Sequence, residues 1–297
     1  SITATSITTA VTAICQPTTT SPRVVHRTRR NPSLPESPDS STARRPRWWL
    51  SCWPAPSSAP AAASAALYRD GKLLGEEFLN VPQTHSVTLL PMAQSLLEHT
   101  GISPEQVDYY AVSRGPGSFT GLRIGSATAK GLGLALKKPL IGIPTVDGLA
   151  YNLYGTDKLV CPLMDARRGQ VYTGVYEFVR EGEAYTLRAV VPQCAVDITD
   201  IVERLNGLGR EVIFLGDGVP VFREQIAELA KVPYSFAPAH CNRQRAASVA
   251  ALAQQYYREG KVVSAAEHQP EYLRMSQAER ERMEQETGVQ PQDGKAE

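Results

Sequence analysis

The sequence predicts an α/β fold with a mixed sheet in each of two lobes, and three observations carry that prediction. From residue 61 onward, strand and helix patterns alternate at spacings that suit sheets flanked by helices. A strand, a tight turn and a second strand occur twice, over residues 63–79 and again over 159–178. The chain has 297 residues, 42% of them apolar, which is enough for a sizeable core, and no run of eighteen apolar residues suits a bilayer span. A soluble chain without a membrane partner is therefore expected.

The elements follow in order. Residues 63–68 and 73–79 flank Arg69-Asp70-Gly71-Lys72, and Asp-Gly supplies the positive φ of a primed hairpin turn. Residues 87–99 put Val87, Leu90, Ala93, Leu96 and Leu97 at helical spacing, with Gly101 placed to end the helix. A strand over 107–112 leads into a glycine-rich turn and a long helix. The run 140–143 and a short helix over 146–153 complete the first lobe. In the second lobe, strands are predicted at 159–164 and 171–178 and helices at 198–205, 221–230 and 246–257. A buried strand at 212–215 runs into Gly216-Asp217-Gly218.

Composition changes abruptly near residue 60. All 22 glycines lie at Gly71 or later, while Trp48, Trp49 and Trp53 account for every tryptophan. The first fifty residues hold seven arginines, no lysine and two acids, so of 31 basic and 30 acidic residues the remainder keeps 24 and 28, about −4. That mildly acidic body argues against direct nucleic-acid binding, which needs clustered Lys and Arg. Twenty of the first sixty residues are Ser or Thr and nine are Pro, with no sustained period of 2 or 3.6, so residues 1–60 read as an atypical, unstructured segment. A transit peptide and non-native sequence from a wrong start or shifted frame are its two readings. At the other end, residues 276–297 form a charged tail in which Arg280 and Arg282 interleave with Glu279, Glu281, Glu284 and Glu286. The five cysteines, Cys15, Cys52, Cys161, Cys194 and Cys241, are odd in number and widely spaced, which fits neither a disulfide framework nor a CxxC metal site and points to a reducing cytoplasm.

The most informative stretch runs from Ser113 to Gly125. Gly115, Pro116 and Gly117 permit a tight strand-to-helix turn, and Ser118 or Thr120, around Phe119, is placed to cap the following helix. Free amides at such a start attract anions. No Lys-Ser/Thr pair follows, however, and the spacing is not GxGxxG, so a plain turn is the stronger reading. Gly121, Gly125, Ala129 and Gly133 recur every four residues along one helix face, and Gly131 lies in the same helix. Each helical glycine costs about 0.5–1 kcal/mol relative to alanine. Close approach of another backbone offsets that cost, either from the same lobe or from a helix of a second molecule. Arg123 and Lys130 fall off the stripe, where they would rim such a contact.

The run Gly115-Pro116-Gly117-Ser118-Phe119-Thr120-Gly121-Leu122-Arg123-Ile124-Gly125, with Ala129-Lys130-Gly131-Leu132, resembles the signature of the bacterial TsaB family, also called YeaZ. Four further stretches resemble that family in the same order: His85-Ser86 before Leu89-Leu90-Pro91, Asp165-Ala166-Arg167-Arg168 with Val171-Tyr172, Gly216-Asp217-Gly218, and Pro270-Glu271-Tyr272-Leu273-Arg274 with Ala278-Glu279. The likeness spans residues 61–279. It implies a two-lobed actin-like, Hsp70-like (ASKHA) fold with an RNase H-like sheet in each lobe, over 61–155 and 156–275. It also implies a non-catalytic role in making N6-threonylcarbamoyladenosine at position 37 of tRNA. In that pathway TsaC makes threonylcarbamoyl-adenylate, TsaD transfers the group to tRNA, TsaE is an ATPase, and TsaB is the scaffold on which TsaD docks. TsaD and TsaE are thus the implied partners, with a homodimer in their absence and tRNA met only indirectly. Carried onto this chain, the partner helices cover 85–100 and 118–136, with His85, Leu89, Met92, Leu96 and the stripe Gly121, Gly125, Ala129 and Gly133 at the interface.

No catalytic residue and no metal ligand are expected. His26, His85, His99, His240 and His268 show no i,i+4 pair of the kind a metal-dependent relative would use. The competing reading is an ATP-using or peptidase-like enzyme of the same superfold. For it, Asp165, Arg167, Gly216, Asp217 and Gly218 are the candidate remnant of a nucleotide or cation site, although Asp165 pairing with Arg167 or Arg168 to fix the turn is the simpler reading. No cofactor is required of the scaffold itself, and ATP or ADP belongs at the interface of the complex. The family's opening strand and its aspartate-bearing turn should precede residue 61. Residues 53–60 instead alternate prolines and hold no aspartate, so no central strand is expected there and a frame or start error is favoured over targeting.

Overall fold

The computed structural model describes residues 48–54, 62–80 and 85–273, and every structural statement below concerns these residues. The first sheet begins earlier than expected. Strand β1 (Trp48–Pro54) lies at its centre, antiparallel to β2 (Ala62–Arg69) and parallel to β4 (Tyr109–Gly115). This corrects, at residues 48–54, the reading of residues 1–60 as unstructured, while residues 55–60 of the stretch where no central strand is expected lie outside the described residues. The run Trp-Trp-Leu-Ser-Cys-Trp has strand-forming residues and carries its one proline at the last position, where a ladder ends. The boundary expected at residue 60 falls outside the described residues.

Strand β3 (Lys72–Asn80) closes one edge and β5 (Leu140–Pro144) the other, giving the order β3-β2-β1-β4-β5. The β2–β3 hairpin turns at Asp70 and Gly71, with φ of 44° and 85°, as the Asp-Gly pair predicts. Helix α1 (His85–Thr100) is followed by Gly101 in the left-handed region, and α2 (Phe119–Ala135) joins β4 to β5.

The second sheet repeats this path. Strands β6 (Leu159–Arg167), β7 (Gln170–Glu181), β8 (Ala184–Asp197), β9 (Val212–Leu215) and β10 (Tyr234–Phe236) take the order β10-β9-β6-β7-β8. Helices α4 (Ile198–Leu208) and α5 (Val219–Leu229) stand where α1 and α2 stand in the first half. In both halves three antiparallel strands precede two parallel ones. Strand β8 is unforeseen by periodicity. It is an edge strand, and Pro192 falls where its pairing with β7 is interrupted, between Val191 opposite Val175 and Cys194 opposite Thr173. A proline is tolerated at such an irregularity.

Two last helices tie the halves together. Helix α3 (Thr145–Ala150) leaves the first sheet and packs on β6 and β7, whereas α6 (Ala246–Arg258) leaves the second sheet and packs on β1 and β2. Leu67, Tyr110 and Ile143 from the first sheet thereby share a continuous core with Val160, Met164, Tyr176 and Leu215 from the second. A separate apolar cluster lies under α4 and α5, built on Ile201, Leu205, Phe214, Phe222 and Ile226. Within the shared core, Asp147 of α3 accepts hydrogen bonds from the hydroxyls of Tyr176 and Tyr256, each at 2.7 Å. Burial raises the Asp147 pKa, and the two hydroxyl donors oppose that shift. Cys161, Cys194 and Cys241 are free, and burial pushes the Cys161 thiol up to about 12. Among the described residues no helix is long and apolar enough to cross a membrane.

Candidate functional site

The signature turn sits where β4 meets α2. Gly115 has φ of 126° and precedes a cis bond to Pro116, and an added Cβ there would overlap the carbonyl oxygen of Glu271. The Ser118 hydroxyl caps α2 by accepting from the Gly121 amide at 3.4 Å. The turn is thus packed against a later segment of the same chain, around Glu271.

That packing continues along the helix. Past α6, Val263 and Leu140 exchange backbone hydrogen bonds of 2.9 and 2.8 Å at the β5 edge. A Cβ on Gly133 would lie 2.6 Å from Leu140 and 2.7 Å from Ala265, so this glycine is required by close approach within the chain. Lys130 Nζ donates to the carbonyl oxygens of Ala266 (3.0 Å) and His268 (2.9 Å). The Ser126 hydroxyl lies 3.1 Å from His268 Nε2, and burial, aided by Lys130 and Arg114, lowers the His268 pKa to about 4. Glu271 donates its amide to the Arg114 carbonyl at 2.6 Å, and its carboxylate pairs with the Arg114 guanidinium at 3.1 Å. Tyr272 meets the Phe119 ring at 5.2 Å, with the Arg123 guanidinium on Phe119 at 5.2 Å. Sequence reasoning found the Pro270 to Arg274 stretch but not its receptor, because contacts between residues so far apart in the chain leave no periodic trace. Lys130 lying off the small-residue stripe was the available signal.

These contacts revise the expected interface. Leu89, Met92 and Leu96 face the core, and Gly121, Gly125, Ala129 and Gly133 are all buried within the chain. The stripe therefore serves internal packing, and Lys130 holds the C-terminal segment instead of rimming a partner contact. His85 is the first residue of α1. The surface left open is the opposite side of the same two helices. Leu90 is 49% and Leu134 is 58% exposed, beside exposed Pro91, Gln94, Arg123, Ala127 and Gly131. Phe119 and Tyr272 stand half-open at one end of α2. Gly131, unlike Gly133, has nothing within 4 Å of an added Cβ.

The second predicted cluster lies at the ends of β6 and β9. Asp165 fixes the β6–β7 turn by accepting the Arg167 backbone amide at 2.7 Å, and Arg167, Arg168 and Gly169 all have positive φ. The turn is thus held through backbone, a contact that the expected side-chain ion pair did not anticipate. Gly216 (φ 113°) lies so close to Leu163 that an added Cβ would overlap its carbonyl oxygen, and Gly218 donates its amide to that same oxygen at 2.9 Å. The Gly216 amide donates to Asn242 Oδ1 at 2.5 Å. Asp217 is buried, and burial raises its pKa to about 7, with the Arg243 charge and backbone amides of Asp217 and Asp165 opposing the shift and the Asp165 charge adding to it. Two amides already engaged and a buried carboxyl between them do not fit a phosphate at this turn. Among the described residues no group of three or more His, Cys, Asp or Glu is arranged to hold a metal.

Comparisons with known proteins agree in direction. A family described as TsaD, tRNA N6-adenosine threonylcarbamoyltransferase, matches residues 79–282. The tRNA threonylcarbamoyladenosine biosynthesis protein TsaB of Bacillus subtilis (strain 168) is 34% identical over 217 residues, 72% of this chain and 90% of that protein. Its namesake in Escherichia coli (strain K12) is 30% identical over 223 residues, 73% of this chain and 92% of that protein. Among solved structures, YeaZ from Pseudomonas aeruginosa superposes with a TM-score of 0.58 at 27% identity, covering 71% of this chain and 94% of that one. A Pseudomonas aeruginosa protein described as similar to the peptidase YEAZ gives 0.61 at 28% identity, covering 72% and 94%.

Proposed function

This chain belongs to the TsaB family of tRNA threonylcarbamoyladenosine biosynthesis proteins, and on that premise we propose that it is a non-catalytic scaffold on which TsaD docks. The observation that carries this reading is the outward side of α1 and α2, where Leu90 and Leu134 stand exposed on helices whose inner sides are satisfied by the chain itself. Exposed apolar side chains beside polar ones suit a protein interface. The partner face is accordingly Leu90, Pro91, Gln94, Ala127, Gly131 and Leu134, with Gly131 allowing close backbone approach. A homodimer would use the same face when TsaD is absent. TsaE and tRNA would then meet the assembled complex, and any ATP or ADP would sit at the interface of that complex in the cytoplasm. The repeated strand order of the two sheets supports an actin-like fold of two RNase H-like lobes, divided near residue 155, with β1 as part of the first.

Leu134→Arg and Leu90→Arg test the face directly. Each should weaken TsaD binding by at least about ten-fold, the size expected when an interface anchor is lost, while leaving the unfolding midpoint unchanged. Undiminished binding in the double variant overturns the assignment.

One observation favours a second reading as an enzyme of the same superfold. Asp217 has a carboxyl poised near neutrality in a buried turn, as acid–base groups often are. Peptide hydrolysis by purified protein that vanishes in Asp217→Asn would support its peptidase-like form, since the turn itself does not fit a phosphate. Hydrolysis absent from the wild type removes it.

A further inference from the structure

Residues 263–273 form no strand of either sheet, yet most of their polar contacts with the rest of the chain go to one receptor, the β4–α2 turn and helix α2. Few large apolar side chains anchor them. Ala265 and His268 are the buried members, and polar groups supply the remaining attachment. Lys130 is central to it, since one ammonium group serves two carbonyls two residues apart. Charged donors make the stronger hydrogen bonds, and their loss would leave both carbonyls without that partner. Ser126, Lys130 and Gly133 on the inner side of α2 belong to the same rigid helix as Ala127, Gly131 and Leu134 on its outer side. A change of seating within is therefore a displacement without.

We propose that residues 263–273 are a strap that sets the position of α2, and that Lys130 is its positioning residue, so that docking on the outer face depends on a side chain the partner does not touch. The docking half rests on the scaffold reading above, whereas the strap half stands independently. His268 reports seating, because it faces Ser126, Lys130 and Arg114 when the strap is in place and meets water when it is not.

The test uses the full chain as wild type, Lys130→Met, Lys130→Arg and Glu271→Ala, with amide exchange at Val263 and Glu271, the His268 imidazole titration, and affinity for TsaD. Lys130→Met should speed exchange at both amides by at least about ten-fold, while β2 and β4 stay protected, and should move the His268 midpoint from about 4 toward about 6.5. TsaD affinity should fall by about ten-fold, and Lys130→Arg should restore most of both. Unchanged exchange at both amides in Lys130→Met overturns the positioning role, whatever the His268 midpoint does, since loss of the Lys130 charge by itself raises that midpoint. In Glu271→Ala, which keeps that charge, the midpoint reports seating alone. A released strap with undiminished TsaD affinity overturns the coupling. Wild type that fails to bind TsaD sinks the scaffold reading and the coupling with it, while exchange and titration still decide the strap. If Lys130→Met unfolds, Glu271→Ala carries the same two outcomes.

Discussion

The two halves of the molecule meet the same topological problem with different material. Each places a Gly-X-Gly turn between the first parallel strand and its helix, Gly115-Pro116-Gly117 in one and Gly216-Asp217-Gly218 in the other. In each, the first glycine has positive φ and packs on a backbone carbonyl that tolerates no Cβ. The carbonyl differs in origin. In the second half it is Leu163, inside the adjacent strand β6, whereas in the first it is Glu271, delivered by the C-terminal strap. A turn sealed by its own sheet is fixed once the sheet forms, and a turn sealed by a distant segment is only as firm as that segment's attachment.

The largest expected effects test that difference. Gly216→Ala should cost about 3–5 kcal/mol in denaturant unfolding, since strained φ and a rigid strand neighbour leave no escape. Gly115→Ala should cost only about 1–3 kcal/mol, because the strap can move aside at the loss of its contacts. Equal losses would mean that the strap is as immovable as β6.

The middle residues differ next. Asp217 is protonated in the folded state up to about pH 7 and ionises near 3.9 when unfolded. The folded state therefore holds the extra proton between those values, and the Asp217 contribution to stability falls as pH rises from about 4 to about 7. His268 contributes in the opposite direction, since its lowered pKa favours the folded state as pH rises from about 4 to about 6.5. Asp217→Asn should remove the Asp217 fall and raise stability at pH 8 by about 2 kcal/mol. Pro116 offers no counterpart, so a fall in stability with rising pH that survives the substitution would place its source elsewhere, whereas the rise due to His268 should remain.

The bond between the halves ranks third. Tyr176→Phe removes one of the two hydroxyl donors to Asp147 and should cost about 1–2 kcal/mol, read from thermal unfolding. A cost near zero would show that the Tyr256 hydroxyl holds Asp147 by itself and that the other contacts between the halves, such as Arg245 with Glu76 and Asn152 with the Cys241 and Arg243 carbonyls, carry the junction. The smallest effect concerns two glycines of α2. Gly131→Ala should stabilise the isolated chain by about 0.5–1 kcal/mol, because an added methyl meets nothing. Gly133→Ala should destabilise it, because Leu140 and Ala265 occupy the space.

Much of this architecture is legible in the sequence. The Asp70-Gly71 hairpin, the α2 signature, the run at Val212–Leu215 and helix α6 follow from turn chemistry and periodicity, which are local. Strand β8 escaped notice because its edge position exposes much of it and Pro192 interrupts its pattern. β1 escaped because a first strand is expected immediately before β2, and the structure uses residues 48–54. The candidate site divided in the same way. Helices α1 and α2 form over the residues expected of them, but the small-residue stripe that the family resemblance puts at a partner contact is buried by the chain itself.

Sequence alone determined which segments become most of the strands and helices, where the obligatory glycines fall, and to which family the chain belongs, because dihedral preference, periodicity and motif identity are written in neighbouring residues. Only the tertiary structure decided which side of α2 is free, what seals each Gly-X-Gly turn, and which carboxyl is buried between two tyrosines. Those outcomes depend on residues distant in the chain arriving at one place, and no local pattern records the meeting.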